Sequence, residues 1–146
     1  MKNRTLVVAA AIVDDLGAPS TLLAARRSRP EHLVGRWEFP GGKVDPGELP
    51  EEGLHRELLE ELGVSVELGH EITGPHPEGW VITDRHVMRL WLARITDGDP
   101  VPLVEHDALR WLAPPELFDV PWLDGDVPIV ERLRDELAPA YQADVR

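Results

Sequence analysis

Cysteine is absent from the 146 residues, which excludes disulfides, thiolate zinc sites and a cysteine nucleophile and makes the cytoplasm the expected compartment. Basic residues are scarce as well. Fifteen Lys and Arg stand against 27 Asp and Glu, a formal net charge of −12, and so acidic a surface repels polyanions, so that a nucleic-acid polymer is not an expected partner. No apolar run approaches the ~20 residues that a membrane span requires, and no membrane partner is expected. Met1 to Arg4 followed by Thr5 to Val13 superficially mimics a signal peptide. The turn residues Asp14, Asp15 and Gly17 and a second apolar run, Thr21 to Ala25, read as two strands instead. A P-loop is excluded, because Lys43 is followed by Val44 and the required first glycine is missing. Gly63-x-Ser65-x-Glu67 fails the nucleophile-elbow pattern, and His70 and His76 lack H-x-x-x-H spacing.

What is present fits a soluble globular protein, with 42% hydrophobic and 29% charged residues. Without repeats or linkers, residues 1–146 read as one domain with a frayed end over about 139–146. Thr5 to Val13 and Thr21 to Ala25 are expected strands, and Arg36 to Phe39 is a short alternating segment stopped by Pro40-Gly41-Gly42. A helix is expected from Pro50 to Leu62, with the stripe Leu54, Leu58, Leu62, a stop at Gly63 and a penalty of about 1 kcal/mol at Gly53. Strands follow at Val64 to Leu68, Trp80 to Thr83, His86 to Ile95 and Leu109 to Leu112. A last helix opens at Pro128 with Ile129, Val130, Leu133 and Leu137 inward. Strands with two separated helices imply an α/β sheet covered on both faces.

Seven acidic residues crowd positions 45 to 61: Asp45, Glu48, Glu51, Glu52, Glu57, Glu60 and Glu61. At 100° per residue, Glu57, Glu60 and Glu61 share one exposed helix face beside the leucine stripe. Their mutual repulsion works against the helix, by a few tenths of a kcal/mol per pair. A hard divalent cation would offset that, since Mg²⁺ takes carboxylate oxygens together with substrate phosphates. Taken alone, the cluster reads first as a solvated acidic face tempered by Arg56.

The wider pattern decides otherwise. From Gly42 the chain runs through five residues to Glu48, seven more to Arg56, then Glu57-Leu58-Leu59-Glu60-Glu61-Leu62-Gly63-Val64. This resembles the Nudix box, G-x5-E-x7-R-E-U-x-E-E-x-G-U with U aliphatic, at every specified position. Trp37 to Val44, Arg26-Arg27, Asp84-Arg85-His86 and Trp111-Leu112 are similar to the MutT-like branch of that family. The resemblance implies an α/β/α Nudix sandwich with a mixed sheet between helices, Mg²⁺ or Mn²⁺ as cofactor, and hydrolysis of a small nucleotide. The expected products from a (deoxy)nucleoside triphosphate are the monophosphate and pyrophosphate. ADP-ribose or another nucleoside diphosphate derivative is the rival substrate, and a non-catalytic nucleotide-binding module the rival class.

It also implies roles. Glu57, Glu60, Glu61 and the Gly41 carbonyl hold metal, while Glu48 and Arg56 brace the loop and helix, Arg56 being otherwise an intrahelical ion-pair partner. A cation is needed because a triphosphate facing those carboxylates meets about 4 kcal/mol of repulsion per pair at ~4 Å. Glu105, six residues before Trp111, matches the glutamate that approaches metal and helps activate water; otherwise it is an exposed loop acid, and Glu60 or Glu61 serves instead. Arg27 matches a phosphate-contacting arginine. Phe39, Asp84, Trp122 and Asp126 fall where the base is read, with Phe39 alternatively in the core and Asp126 alternatively a helix cap. MutT-type enzymes have asparagine at the last position, and an ionised Asp126 only accepts. This departure resembles CTP- and dCTP-hydrolysing members more than those acting on oxidised guanine nucleotides such as 8-oxo-dGTP.

Overall fold

The computed structural model describes residues 3–142, with side chains through Leu137. The expected fraying over 139–146 therefore lies outside the described residues, apart from the backbone of 139–142. Eight strands and two α-helices follow in the order β1 (Thr5–Ile12), β2 (Leu22–Arg27), β3 (Trp37–Glu38), β4 (Gly41–Lys43), α1 (Pro50–Leu62), β5 (Ser65–Ile72), β6 (Trp80–Thr83), β7 (His86–Asp97), β8 (His106–Leu112) and α2 (Val127–Gln142). One sheet has the order β4-β1-β7-β5, with β6 also paired to β7; β1 and β7 run parallel and the other pairs are antiparallel. The second is antiparallel, β3-β2-β8.

β1 is apolar from Leu6 onward and buried on both faces from Val8 to Ile12. Val8, Ala10 and Ile12 pack with Leu54, Leu58 and Leu62 of α1, whereas Ala9, Ala11 and Val13 pack with Ile129, Val130, Leu133 and Leu137 of α2. Leu54, Leu58 and Leu62 are each fully buried, a contribution of about 1.5–3 kcal/mol apiece. Pro50 opens α1, Glu52 accepts from the Leu49 N–H at 2.9 Å, and Gly63 closes it in the left-handed region, φ 72°. The result is a mixed α/β architecture with a helix on each side. No described helix is long and apolar enough to cross a membrane.

β1 and β2, joined by the expected turn, lie in different sheets and meet at the Val13–Leu22 bridge. Three expectations are corrected. Gly41–Lys43 is a strand rather than a stop, since a Cβ at Gly41 would fall 2.0 Å from the Val8 carbonyl oxygen and only glycine lets β4 lie so close to β1. β5 runs on past Leu68 to Ile72, across an irregularity at Gly69. β8 begins at His106.

Candidate active site

The loop from β4 to α1 is held by Arg56, which reaches out of its own helix. Its guanidinium donates to both Glu48 oxygens at 2.7 and 3.0 Å, to the Lys43 carbonyl at 3.0 Å, to Glu57 at 3.1 Å and to Glu60 at 3.2 Å. Glu48 also accepts from the Asp45 N–H at 2.8 Å. These bonds hold the Glu48 carboxyl below the usual carboxylate range, the Arg56 guanidinium being the main cause, and raise the Arg56 pKa further. Gly53 has its reason here, because a Cβ would stand 2.9 Å from Glu48 Oε1. Gly53→Ala is therefore expected to lower the melting temperature and weaken activity, although an exposed helix interior gains about 1 kcal/mol from the same change. A raised melting temperature in a thermal scan would contradict the brace.

The three glutamates of the acidic face differ in burial. Glu60 is open, its side chain 56% exposed, while Glu57 is largely covered and Glu61 is only 6% exposed. The exposed face expected for all three is thus corrected for Glu61, which lies beneath the strand that begins at His106. Gly42 admits Glu57, since a Cβ there would meet its carboxyl carbon at 2.3 Å. Burial raises the Glu57 pKa, against Arg56 and with Glu60 and Glu105. Glu61 is pushed up to about 7, by burial first and then by Glu105, Glu57 and Glu38, with His106 opposing.

Two groups that sequence reasoning missed lie behind this face. His106 Nε2 stands 2.8 Å from Glu38 Oε2, and the same oxygen accepts from Arg27 Nη1 at 2.8 Å. Arg27 also meets Glu105 at 3.4 Å and donates to the Arg29 carbonyl. Arg27 and Glu105 thus come together beside the helix face. The alternation of Trp37-Glu38-Phe39 hinted that Glu38 points opposite to the two aromatics, but nothing in the sequence distinguished His106 from its exposed neighbour Asp107.

Segment 121–126 is laid beside β3. Leu123 N–H donates to the Trp37 carbonyl at 2.9 Å, and Arg36 holds the Trp122 carbonyl and Asp124. Phe39 and Trp122 are both buried in the α2-side core, ring centroids 5.1 Å apart, and the Trp122 indole donates to the Leu117 carbonyl at 2.7 Å. Asp84 lies exposed in the β6–β7 turn. Asp126 is 5% exposed and its carboxyl is approached by the Phe39 N–H; burial and the Glu38 charge push it up to about 8. The ionised acceptor expected at this position is corrected: at neutral pH the group is a carboxylic acid that both donates and accepts.

Residues 3–133 match the family model of the NUDIX domain. The chain belongs to the Nudix family. It is 38% identical over 128 residues to a putative 8-oxo-dGTP diphosphatase 2 of Mycobacterium tuberculosis, covering 83% of this chain and 82% of the relative. It is 32% identical over 137 residues to the CTP pyrophosphohydrolase of Escherichia coli, covering 88% and 90%. Among solved structures, the MutT NUDIX hydrolase from Burkholderia pseudomallei superposes with a TM-score of 0.68 at 28% identity, covering 90% of this chain and 99% of that one. Nudix hydrolases generally use divalent metal ions, and the domain match together with these relatives marks this chain as a hydrolase.

The residues of this Nudix chain suit such an ion. Glu57, Glu60, Glu61 and Glu105 are hard oxygen donors, and neighbouring carboxylate charges help raise the pKa of Glu57 and of Glu61, the electrostatic condition that a cation relieves. Among the described residues no three acidic or histidine groups converge closely enough to hold a metal ion by themselves. Mg²⁺ needs no such set, since it keeps several waters and uses one or two carboxylates with substrate phosphates. A cavity of about 680 Å³ lined by Arg4, Leu6, Glu71 and Arg89 among others shares none of these residues, and its Arg89 is already held by Glu71 at 2.8 and 2.9 Å.

Proposed function

We propose that this chain, as a single Nudix domain over residues 1–146, is a MutT-like pyrophosphohydrolase of the cytoplasm that hydrolyses (deoxy)nucleoside triphosphates with Mg²⁺ or Mn²⁺. The observation that carries the reading is the juxtaposition of a braced carboxylate face, Glu57, Glu60 and Glu61, with Arg27 and Glu105. The names of the two relatives, one acting on 8-oxo-dGTP and one on CTP, support triphosphates over ADP-ribose.

In this reading a cation would draw its one or two carboxylates from Glu57, Glu60, Glu61 and Glu105, with the Gly41 carbonyl as a further donor, and Glu48 and Arg56 hold the carboxylates in place. Such a cation would neutralise phosphate charge and polarise the phosphoryl oxygens. Arg27 offers its planar guanidinium to the phosphate chain. Glu105 accepts a proton from the attacking water; a bond forms from the water oxygen to one phosphorus of the α–β anhydride as the bridging P–O bond breaks, giving the monophosphate and pyrophosphate. On the base side, Phe39 and Trp122 form the packed floor, with Asp126 at its edge, and Asp84 of the β6–β7 turn is assigned to the base by the family resemblance. A protonated Asp126 resembles the asparagine of MutT-type enzymes in what it can donate and accept, so cytosine and oxidised guanine nucleotides both suit it.

Separating products by ion-exchange chromatography from CTP, dCTP, dGTP and 8-oxo-dGTP, with and without Mg²⁺, tests the proposal. Pyrophosphate and monophosphate in equal amounts, only with metal, are expected. Orthophosphate with a nucleoside diphosphate would end the pyrophosphohydrolase reading.

A further inference from the structure

His106 is the most enclosed ionisable side chain near the site, with 0% side-chain exposure, and it separates two carboxylates. On one side its Nε2 meets Glu38 Oε2 at 2.8 Å; on the other its Nδ1 stands 3.4 Å from Glu61 Oε1 without forming a hydrogen bond. Both of these last two atoms are buried and lack any other partner. Glu38 Oε2 in turn takes the Arg27 guanidinium at 2.8 Å. A continuous line of polar groups, Glu61, His106, Glu38 and Arg27, thus runs under the site from α1 through β8 and β3 to β2.

So much buried polarity is a poor way to stabilise a core. Charged groups taken out of water lose several kcal/mol each, and apolar residues of equal volume would fill the same space at less cost. What the line does provide is position. α1 belongs with the five-stranded sheet, whereas β2, β3 and β8 form the other sheet. Without a tie between them, the carboxylate face and the arginine could shift relative to each other by the fraction of an ångström that matters in such sites.

We propose that His106 and Glu38 are positioning residues, a buried bridge that sets the Glu61 carboxylate of the cation-holding face against the phosphate-side Arg27. The proposal rests on the reading of this face as a cation site. Glu61 turns one oxygen to His106, which leaves the other for a cation, and Glu38 fixes the Arg27 fork through an oxygen that stands 2.8 Å from both Arg27 Nη1 and His106 Nε2. Neither His106 nor Glu38 touches substrate in this role.

The test uses Mn²⁺ alone, titrated into nucleotide-free protein, with free Mn²⁺ read by electron paramagnetic resonance for the wild type, His106→Gln and Glu38→Gln. Nucleotide KM and kcat at saturating Mn²⁺ are measured alongside. Groups that orient metal ligands typically contribute about 10–100-fold to metal affinity, so both variants are expected to bind Mn²⁺ at least about tenfold more weakly and to raise KM. The double variant should be no worse than the poorer single, because the groups act as one line. Variants that melt lower but bind Mn²⁺ within twofold of the wild type would overturn the bridge and leave a merely structural role. A wild type that takes up no Mn²⁺ would instead overturn the cation site on which the proposal rests. Should His106→Gln not fold, the isosteric and partly exposed Glu38→Gln decides the matter by the same Mn²⁺ measurement.

Discussion

Glu60→Gln and Glu61→Gln are each expected to lower kcat at saturating Mg²⁺ by at least about a hundredfold, the loss of roughly 3 kcal/mol of transition-state stabilisation. Each exchange replaces a charged oxygen ligand by a neutral amide of the same shape, so the charge opposing the phosphates no longer fully attracts the cation. Their effects on stability should differ because their surroundings do. Glu60 is open to solvent and its contact with Arg56 at 3.2 Å is one of several that the guanidinium makes, so Glu60→Gln should leave the melting temperature nearly unchanged. Glu61 is buried beside Glu57, Glu105 and Glu38, whose charges all act against its ionisation. An amide there removes that repulsion, and the melting temperature of Glu61→Gln should hold or rise at neutral pH. Steady-state rates and thermal scans check both statements. Near-normal turnover in both variants would remove the metal assignment.

The parts of this site that were legible in the sequence are those carried by spacing along one element. Gly42, Glu48, Arg56, Glu57, Glu60 and Glu61 lie at fixed intervals on a loop and a helix with a clear leucine stripe, and α1 spans the expected Pro50–Leu62. Glu38 and His106 were not legible because they meet only when β3 and β8 flank β2, a pairing between residues 68 positions apart. The division into two sheets was hidden for a similar reason: β1 and β2 follow each other closely along the chain, and nothing in their composition shows that they part. Short glycine-rich β4 read as a turn because glycine is ordinarily poor in strands, whereas here its missing Cβ is what allows the strand to pair. The charge state of Asp126 depends on burial and on Glu38, neither of which composition shows.

That charge state leads to the second large effect. Asp126 keeps its proton up to about pH 8, through burial first and the Glu38 charge second, while the Phe39 N–H works in the other direction. For a carboxyl whose folded pKa is raised, the unfolded chain has already lost the proton between about pH 4 and pH 8, while the folded one retains it. Its contribution to stability is therefore complete below the ordinary value of 3.8 and is lost as pH rises through about 8. Across that window the slope is at most about 1.4 kcal/mol per pH unit. Asp126→Asn cannot titrate, so its melting temperature should gain on the wild type steadily from pH 5 to pH 8. The same reasoning fixes base choice. Below about pH 8 the acid and the amide both donate and accept, and the ratio of kcat/KM for CTP to that for 8-oxo-dGTP should differ little between them. Above it the wild-type carboxylate only accepts, which favours the cytosine 4-amino group and leaves a base acceptor unsatisfied at a cost of about 1–3 kcal/mol. The wild-type ratio should then rise by about tenfold while that of Asp126→Asn stays level. Taking a ratio matters, because ionisation of the carboxylate face acts on both substrates alike and cancels. Parallel ratios and parallel stability curves for the two proteins from pH 5 to pH 9 would show that Asp126 neither holds its proton nor meets the base.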